Sequence, residues 1–152
     1  MSVAFDVSRH RAQAQDTSVR TEYLQALRLI ERLHRLLLDV IKDEFDRLGG
    51  SELNSVQALL LYNIGESELT AGELKTRGYY LGSNVSYNLK KLVDMGYIHY
   101  KRSDTDRRSV RVSLTDKGLE ARDIVNKLYL RQLGSVQAVG EVTGDDVKGL
   151  NK

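Results

Sequence analysis

Apolar residues return every three or four positions between Thr21 and Leu48, at Tyr23, Leu27, Ile30, Leu33, Leu37, Ile41, Phe45 and Leu48. That period predicts one α-helix, about 40 Å long from the rise per residue. Leu24, Leu36, Leu38 and Val40 spread its apolar surface well beyond one stripe. A small domain does not cover so much by itself. The same helix of a second copy is the economical cover, because twofold homodimers are the commonest assembly. Gly49 and Gly50 end the helix. Residues 1–19 are polar and aperiodic, which predicts a flexible N-terminal arm.

Shorter elements follow, punctuated by caps and glycines, since the chain has no proline. Asn54 with Gln57 three residues later predicts a capped helix within Ser51–Ile64, buried through Val56, Leu59, Leu60 and Ile64. Gly65–Leu69 reads as a turn. Thr70 and Glu73 form a capping box for a short helix through Arg77. Beyond Gly78 and a turn at Tyr79–Leu81, Ser83 caps a further helix to about Met95, which Gly96 stops. The period then switches to two. Ile98 and Tyr100 alternate with His99 and Lys101, then Val110, Val112 and Leu114 with Arg111 and Ser113. Strands Tyr97–Lys101 and Ser109–Leu114 therefore form a hairpin with a charged tip. Thr115 caps a long helix to about Val139, and Thr143 with Asp145 and Asp146 opens a short terminal one.

This order predicts a mainly α protein with a small β-hairpin wing, an α+β winged helix-turn-helix with long flanking dimerisation helices. The winged domain occupies 51–114, and the helical dimerisation regions occupy 20–50 and 115–152. On the helix after Ser83, Val85, Leu89, Leu92 and Val93 form the inward face. Ser83, Asn84, Ser86, Tyr87, Lys90 and Lys91 are left outward. A polar, basic helix face beside a basic hairpin suits duplex DNA, with the helix in the major groove and the hairpin on backbone or minor groove. Asn84 can pair with adenine, Ser86 can donate or accept, and Tyr87 can pack on a thymine methyl or bond a phosphate. Lys90 and Lys91, a turn further on, are placed for phosphates. Arg107 and Arg108 at the tip suit a narrow minor groove. Asp106 beside them would hold an arginine or the tip backbone in place.

The net charge of +2 is uninformative, but its distribution is not. Between Thr70 and Arg111 nine basic residues face four acidic ones, leaving the rest of the chain net negative. Single solvated lysines and polar hairpin tips are commonplace. Two consecutive exposed basic elements favour a polyanion. RNA fits less well, because its major groove is deep and narrow. An apolar or acidic open face would have pointed to the alternative, a winged-helix protein–protein interaction module. Cysteine is absent, which excludes disulfides, metal thiolates and thiol switches. His10, His34 and His99 lie in no metal-ligand pattern, and no catalytic triad, phosphate loop or carboxylate pair stands out. Neither enzyme activity, metal nor cofactor is expected. No apolar run spans a membrane and no signal-peptide centre is present, which predicts a cytoplasmic protein without a membrane partner.

Three stretches, LTAGEL at 69–74, SNVSYNLKKLVDMGYI at 83–98 and DRRSVRVSLTDKG at 106–118, together with the long flanking helices, resemble the MarR (multiple antibiotic resistance regulator) family. The resemblance runs from about Thr21 to Val139, and the Asp-Arg-Arg tip leading into Leu-Thr-Asp-Lys-Gly is its most specific part. It implies a homodimeric transcription regulator, usually a repressor, that binds a palindromic operator in double-stranded DNA and is released by a small aromatic or phenolic effector. In that family the first and last helices build the dimer, and this chain's last helix is short by comparison. The family's effector pocket lies between those helices and the winged module, which would bring His34, Tyr62, Tyr79 and Arg122 near it.

Overall fold

A computed structural model of the chain describes the backbone of residues 3–76, 82–102 and 110–152, with side chains there except at 3–15, 71, 75 and 82–85. The chain divides into two units, Met1–Asp39 and Val40–Lys152. No helix among the described residues is long and apolar enough to cross a membrane.

The first unit is the greater part of helix α1 (Val3–Arg47). Backbone helix begins at Val3, not at Thr21, so the arm expected over 1–19 is helical where it is described. Ala4, Ala12, Ala14, Arg9, Arg11 and Gln13 are strong helix formers with no Gly or Pro among them. A helix already nucleated by the periodic stretch extends through such residues without needing an apolar face. Every side chain from Asp16 to Leu36 is exposed. Tyr23, Ile30 and Leu33 are each more than 60% exposed.

The second unit holds the end of α1, α2 (Ser55–Ile64), β1 (Leu69–Thr70), α3 (Ala71–Thr76), α4 (Gly82–Asp94), β2 (Ile98–Arg102), β3 (Val110–Leu114), α5 (Asp116–Gly140) and α6 (Gly144–Leu150). Its core is Ile41, Leu60, Leu61, Ile64, Leu74, Leu92, Val112 and Val125, all essentially without exposure. α2 packs along α5. Near the end of α1, Glu44 is buried and its carboxylate accepts from Arg47 Nη2 at 2.9 Å and pairs with Arg131 of α5 at 2.6 Å. The two arginines hold that carboxyl well below the usual range, at about 2. Gly49 then takes φ +102° and Gly50 N–H closes back on Phe45 O at 2.9 Å, ending the helix as the sequence predicts.

The capping pattern positions the remaining elements. Asn54 and Gln57 exchange backbone and side-chain bonds at 2.8 and 3.1 Å, although α2 starts at Ser55, after the cap, and not at Ser51. Thr70 and Glu73 do the same for α3. Thr143 and Asp146 cap α6, which buries none of its residues. The sheet has three antiparallel strands in the order β1-β3-β2, one more than the hairpin expected. The extra strand pairs Leu69 with Val112 and Thr70 with Arg111, where a plain turn was predicted. Two residues are too few to show an alternation, yet Leu69 is buried and its neighbour starts the α3 cap.

Candidate nucleic-acid interface

α4 is amphipathic by construction. Leu89 and Leu92 are buried and Val93 half-buried, so the opposite face is turned to solvent. On that face Tyr87 is 63% exposed, and Lys90 and Lys91 are exposed with no ion pair among the described residues. Ser86 is also exposed. Ser83 and Asn84 lie on the first turn of α4, while their side chains fall outside those described. The helix opens at Gly82, so Ser83 sits inside it and not one residue before it.

Gly96 ends α4 with φ +80°, and Tyr97 N–H bonds back to Leu92 O at 2.8 Å while Gly96 N–H meets Val93 O at 3.0 Å. This paired closure turns the chain directly into β2. The register sets Ile98 against Leu114, Tyr100 against Val112 and Arg102 against Val110, with His99 facing Ser113 and Lys101 facing Arg111. Ile98 and Val112 enter the core. Lys101 therefore stands directly across the ladder from Arg111, two like charges side by side. Glu68, 3.3 Å from Arg111, offsets only that one. Ser86, Leu89, Lys90 and Val93 of α4 and Tyr100 and Val110 of the wing line a groove of about 360 Å³ between helix and hairpin. The predicted tip residues Asp106, Arg107 and Arg108 lie outside the described residues.

A second cluster fixes this helix and hairpin to α5. Thr115 N–H bonds Tyr97 O at 3.1 Å, and its hydroxyl donates to Gly96 O at 2.7 Å while accepting from Gly118 N–H. A Cβ at Gly118 would fall onto Tyr97 O, so only glycine lets α5 start this close to the corner. Lys117 Nζ reaches Met95 O at 2.9 Å and Glu52 Oε1 at 2.6 Å, and lies 4.3 Å from the centre of the Tyr97 ring. Burial and the Glu52 carboxylate push the Tyr97 hydroxyl pKa up, while Lys117 and Tyr97 pull that of Glu52 down. None of Glu52, Tyr97 and Lys117 stands out by residue type or spacing. Their one sequence signal is a lysine in the first turn of a helix, where the macrodipole disfavours it.

Of the residues expected around an effector, Tyr62 and Arg122 belong to the second unit. His34 is exposed on the first unit, and Tyr79 lies outside the described residues. Tyr62 packs edge-on against Tyr129 of α5, ring centres 4.8 Å apart at 76°. Tyr129 was not anticipated; burial pushes its hydroxyl up to about 12. Arg122 pairs with Glu66 at 2.9 Å beside a groove of about 480 Å³, and its Nε is buried without a hydrogen-bond partner among the described residues. Among the described residues no group of three His, Asp or Glu is placed to hold a metal.

Known proteins agree with this geometry. Residues 53–118 match the family model of a winged helix DNA-binding domain. A relative from Rhizobium meliloti, the exopolysaccharide II synthesis transcriptional activator ExpG, is 43% identical over 96 residues, which is 63% of this chain and 50% of that protein. The chain thus spans about half the length of the curated relative it matches. Among solved structures, the transcriptional regulator BldR from Sulfolobus solfataricus superposes with a TM-score of 0.69 at 22% identity, over 86% of this chain and 92% of that one. A mutant of MarR from E. coli, complexed with operator DNA, gives 0.65 at 22% identity, over 86% and 91%. A MarR transcriptional regulator from Methanosarcina mazei gives 0.65 at 22% identity, over 82% and 87%. These relatives and neighbours are regulators and not enzymes. Residues 53–118 of this chain match a winged helix DNA-binding domain, and the chain shares the fold of these MarR-type structures.

Proposed function

We propose that this protein regulates transcription by binding duplex DNA as a homodimer, with α4 in the major groove and the wing on the flanking backbone or minor groove. The carrying observation is the set of exposed cations, Lys90 and Lys91 on α4 with Lys101 and Arg102 on the wing. Ser83, Asn84, Ser86 and Tyr87 are the proposed base-side contacts, Lys90 and Lys91 the phosphate contacts, and Arg107 and Arg108 the minor-groove grip supported by Asp106. A twofold dimer reads a palindromic operator because each half-site meets one copy of α4. Release by a small aromatic or phenolic effector rests on the family resemblance, with His34, Tyr62, Tyr79 and Arg122 as the proposed contacts.

The direction of control has two readings. Repression is the usual mode in the family resembled. Activation is favoured by the name of the 43% identical relative. A promoter–reporter assay with and without the protein decides between them.

Selection of bound duplexes from a random-sequence library tests the reading itself. Enrichment of a palindrome is expected, and Arg108→Ala should then weaken binding and lower the salt slope by about one. A library that yields no enriched sequence would leave the winged helix as a protein-binding module instead.

A further inference from the structure

We infer that Lys117 is a positioning residue for DNA reading: it fastens the C-terminal end of α4 to the start of α5 and so sets the angle at which the helix meets a groove. This rests on the DNA-binding reading above. Lys117 is in the first turn of α5, where its charge opposes the helix dipole. It gains nothing locally there. Its ammonium leaves its own helix and donates to Met95 O, at 2.9 Å, just beyond the last residue of α4. A cation at that end of a helix is favoured by the same dipole.

Two further contacts then fix its place. Glu52, in the loop after α1, accepts at 2.6 Å; Tyr97, the residue that turns α4 into β2, presents its ring face at 4.3 Å. One ammonium therefore ties together the loop after α1, the end of α4, the root of the wing and the start of α5. Ser83 to Tyr87, the proposed base-side contacts, sit at the other end of a helix about 20 Å long. A small tilt about the Met95 end moves them far enough to misalign hydrogen bonds with base edges. Phosphate contacts made by flexible lysines tolerate the same tilt. Loss of Lys117 thus weakens discrimination between sequences more than it weakens attraction to DNA.

The test uses the full chain and a random-sequence duplex library. Duplexes enriched by the wild type, and one unenriched duplex, are titrated by fluorescence anisotropy at several salt concentrations with wild type, Lys117→Met and Lys117→Arg. Lys117→Met should bind the enriched duplex roughly tenfold more weakly, the scale of one lost charge-assisted hydrogen bond. Its affinity for the unenriched duplex and its salt slope should stay unchanged. Lys117→Arg, which can still donate to Met95 O and lie on Tyr97, should recover most of the loss. Equal weakening on both duplexes would mean fewer folded molecules and would overturn the proposal. So would a slope lowered by about one, the mark of a direct phosphate contact, or no change at all. If the wild type enriches no sequence, the DNA-binding reading fails first and this inference with it.

Discussion

Gly118 carries more constraint than any charged residue of the wing. Its amide bonds the Thr115 hydroxyl, while its missing side chain leaves room for Tyr97 O and the Cβ of Leu114. Tyr97 O belongs to the corner between α4 and β2, which is held by its own hydrogen bonds and cannot yield cheaply, and Leu114 ends β3 paired to Ile98. Gly118→Ala should therefore destabilise the protein by about 2 kcal/mol, within the range for overpacking a tight site, as measured by urea unfolding. A loss below about 0.5 kcal/mol, the usual scatter of surface substitutions, would show that the corner opens freely. Other single residues were easier to foresee. Asn54, Thr70, Thr115 and Thr143 act as caps because a short side-chain oxygen at a helix start serves a fixed number of backbone donors. Lys117 was not foreseeable, since its partners, Glu52 and the Met95–Tyr97 corner, come from two distant parts of the chain.

Between elements, the pairing of Glu44 with Arg131 fastens the last turns of α1 to α5. Its carboxyl is held at about 2 in the folded protein against an ordinary value of 4.5. A depressed carboxyl stabilises fully above its unfolded pKa, and that contribution is lost as pH falls through the folded one. The stability difference between wild type and Glu44→Gln should be constant near neutral pH and shrink between about pH 4.5 and 2. A difference that does not change across that window would mean the ion pair contributes nothing. Most elements were legible in the sequence, because α2, α4, α5 and the two longer strands carry an apolar period of 3.6 or 2. Two were not. β1 is too short to alternate, and it exists through its pairing with β3. The helix over residues 3–19 has no apolar face at all, so only intrinsic propensity argues for it.

At the scale of the whole molecule, the exposed apolar residues call for cover. Tyr23, Leu27, Ile30, Leu33 and Leu36 of α1 and Leu130, Leu133 and Val136 of α5 are at least 45% exposed, far more apolar surface than a monomer usually shows. The proposed second copy of the chain would supply matching apolar surface, so light scattering at micromolar concentration should give twice the chain mass. Ile30→Lys with Leu33→Lys should give the monomer; a wild type that is already monomeric, or a double variant that stays dimeric, would sink the assignment. The polar outward face of α4 was legible in the apolar period of the helix, and its DNA-reading role is the proposal made above, whereas the grouping of His34, Tyr62, Tyr79 and Arg122 came from resemblance alone. Added salt acts on this protein in two opposite senses. It screens the attraction between Glu44 and Arg131 across α1 and α5. It also relieves the repulsion between Lys101 and Arg111 across the wing ladder. That repulsion is strongest in dilute buffer, and phosphates laid along the wing, as proposed, would relieve it as salt does, so that binding DNA would itself steady the hairpin.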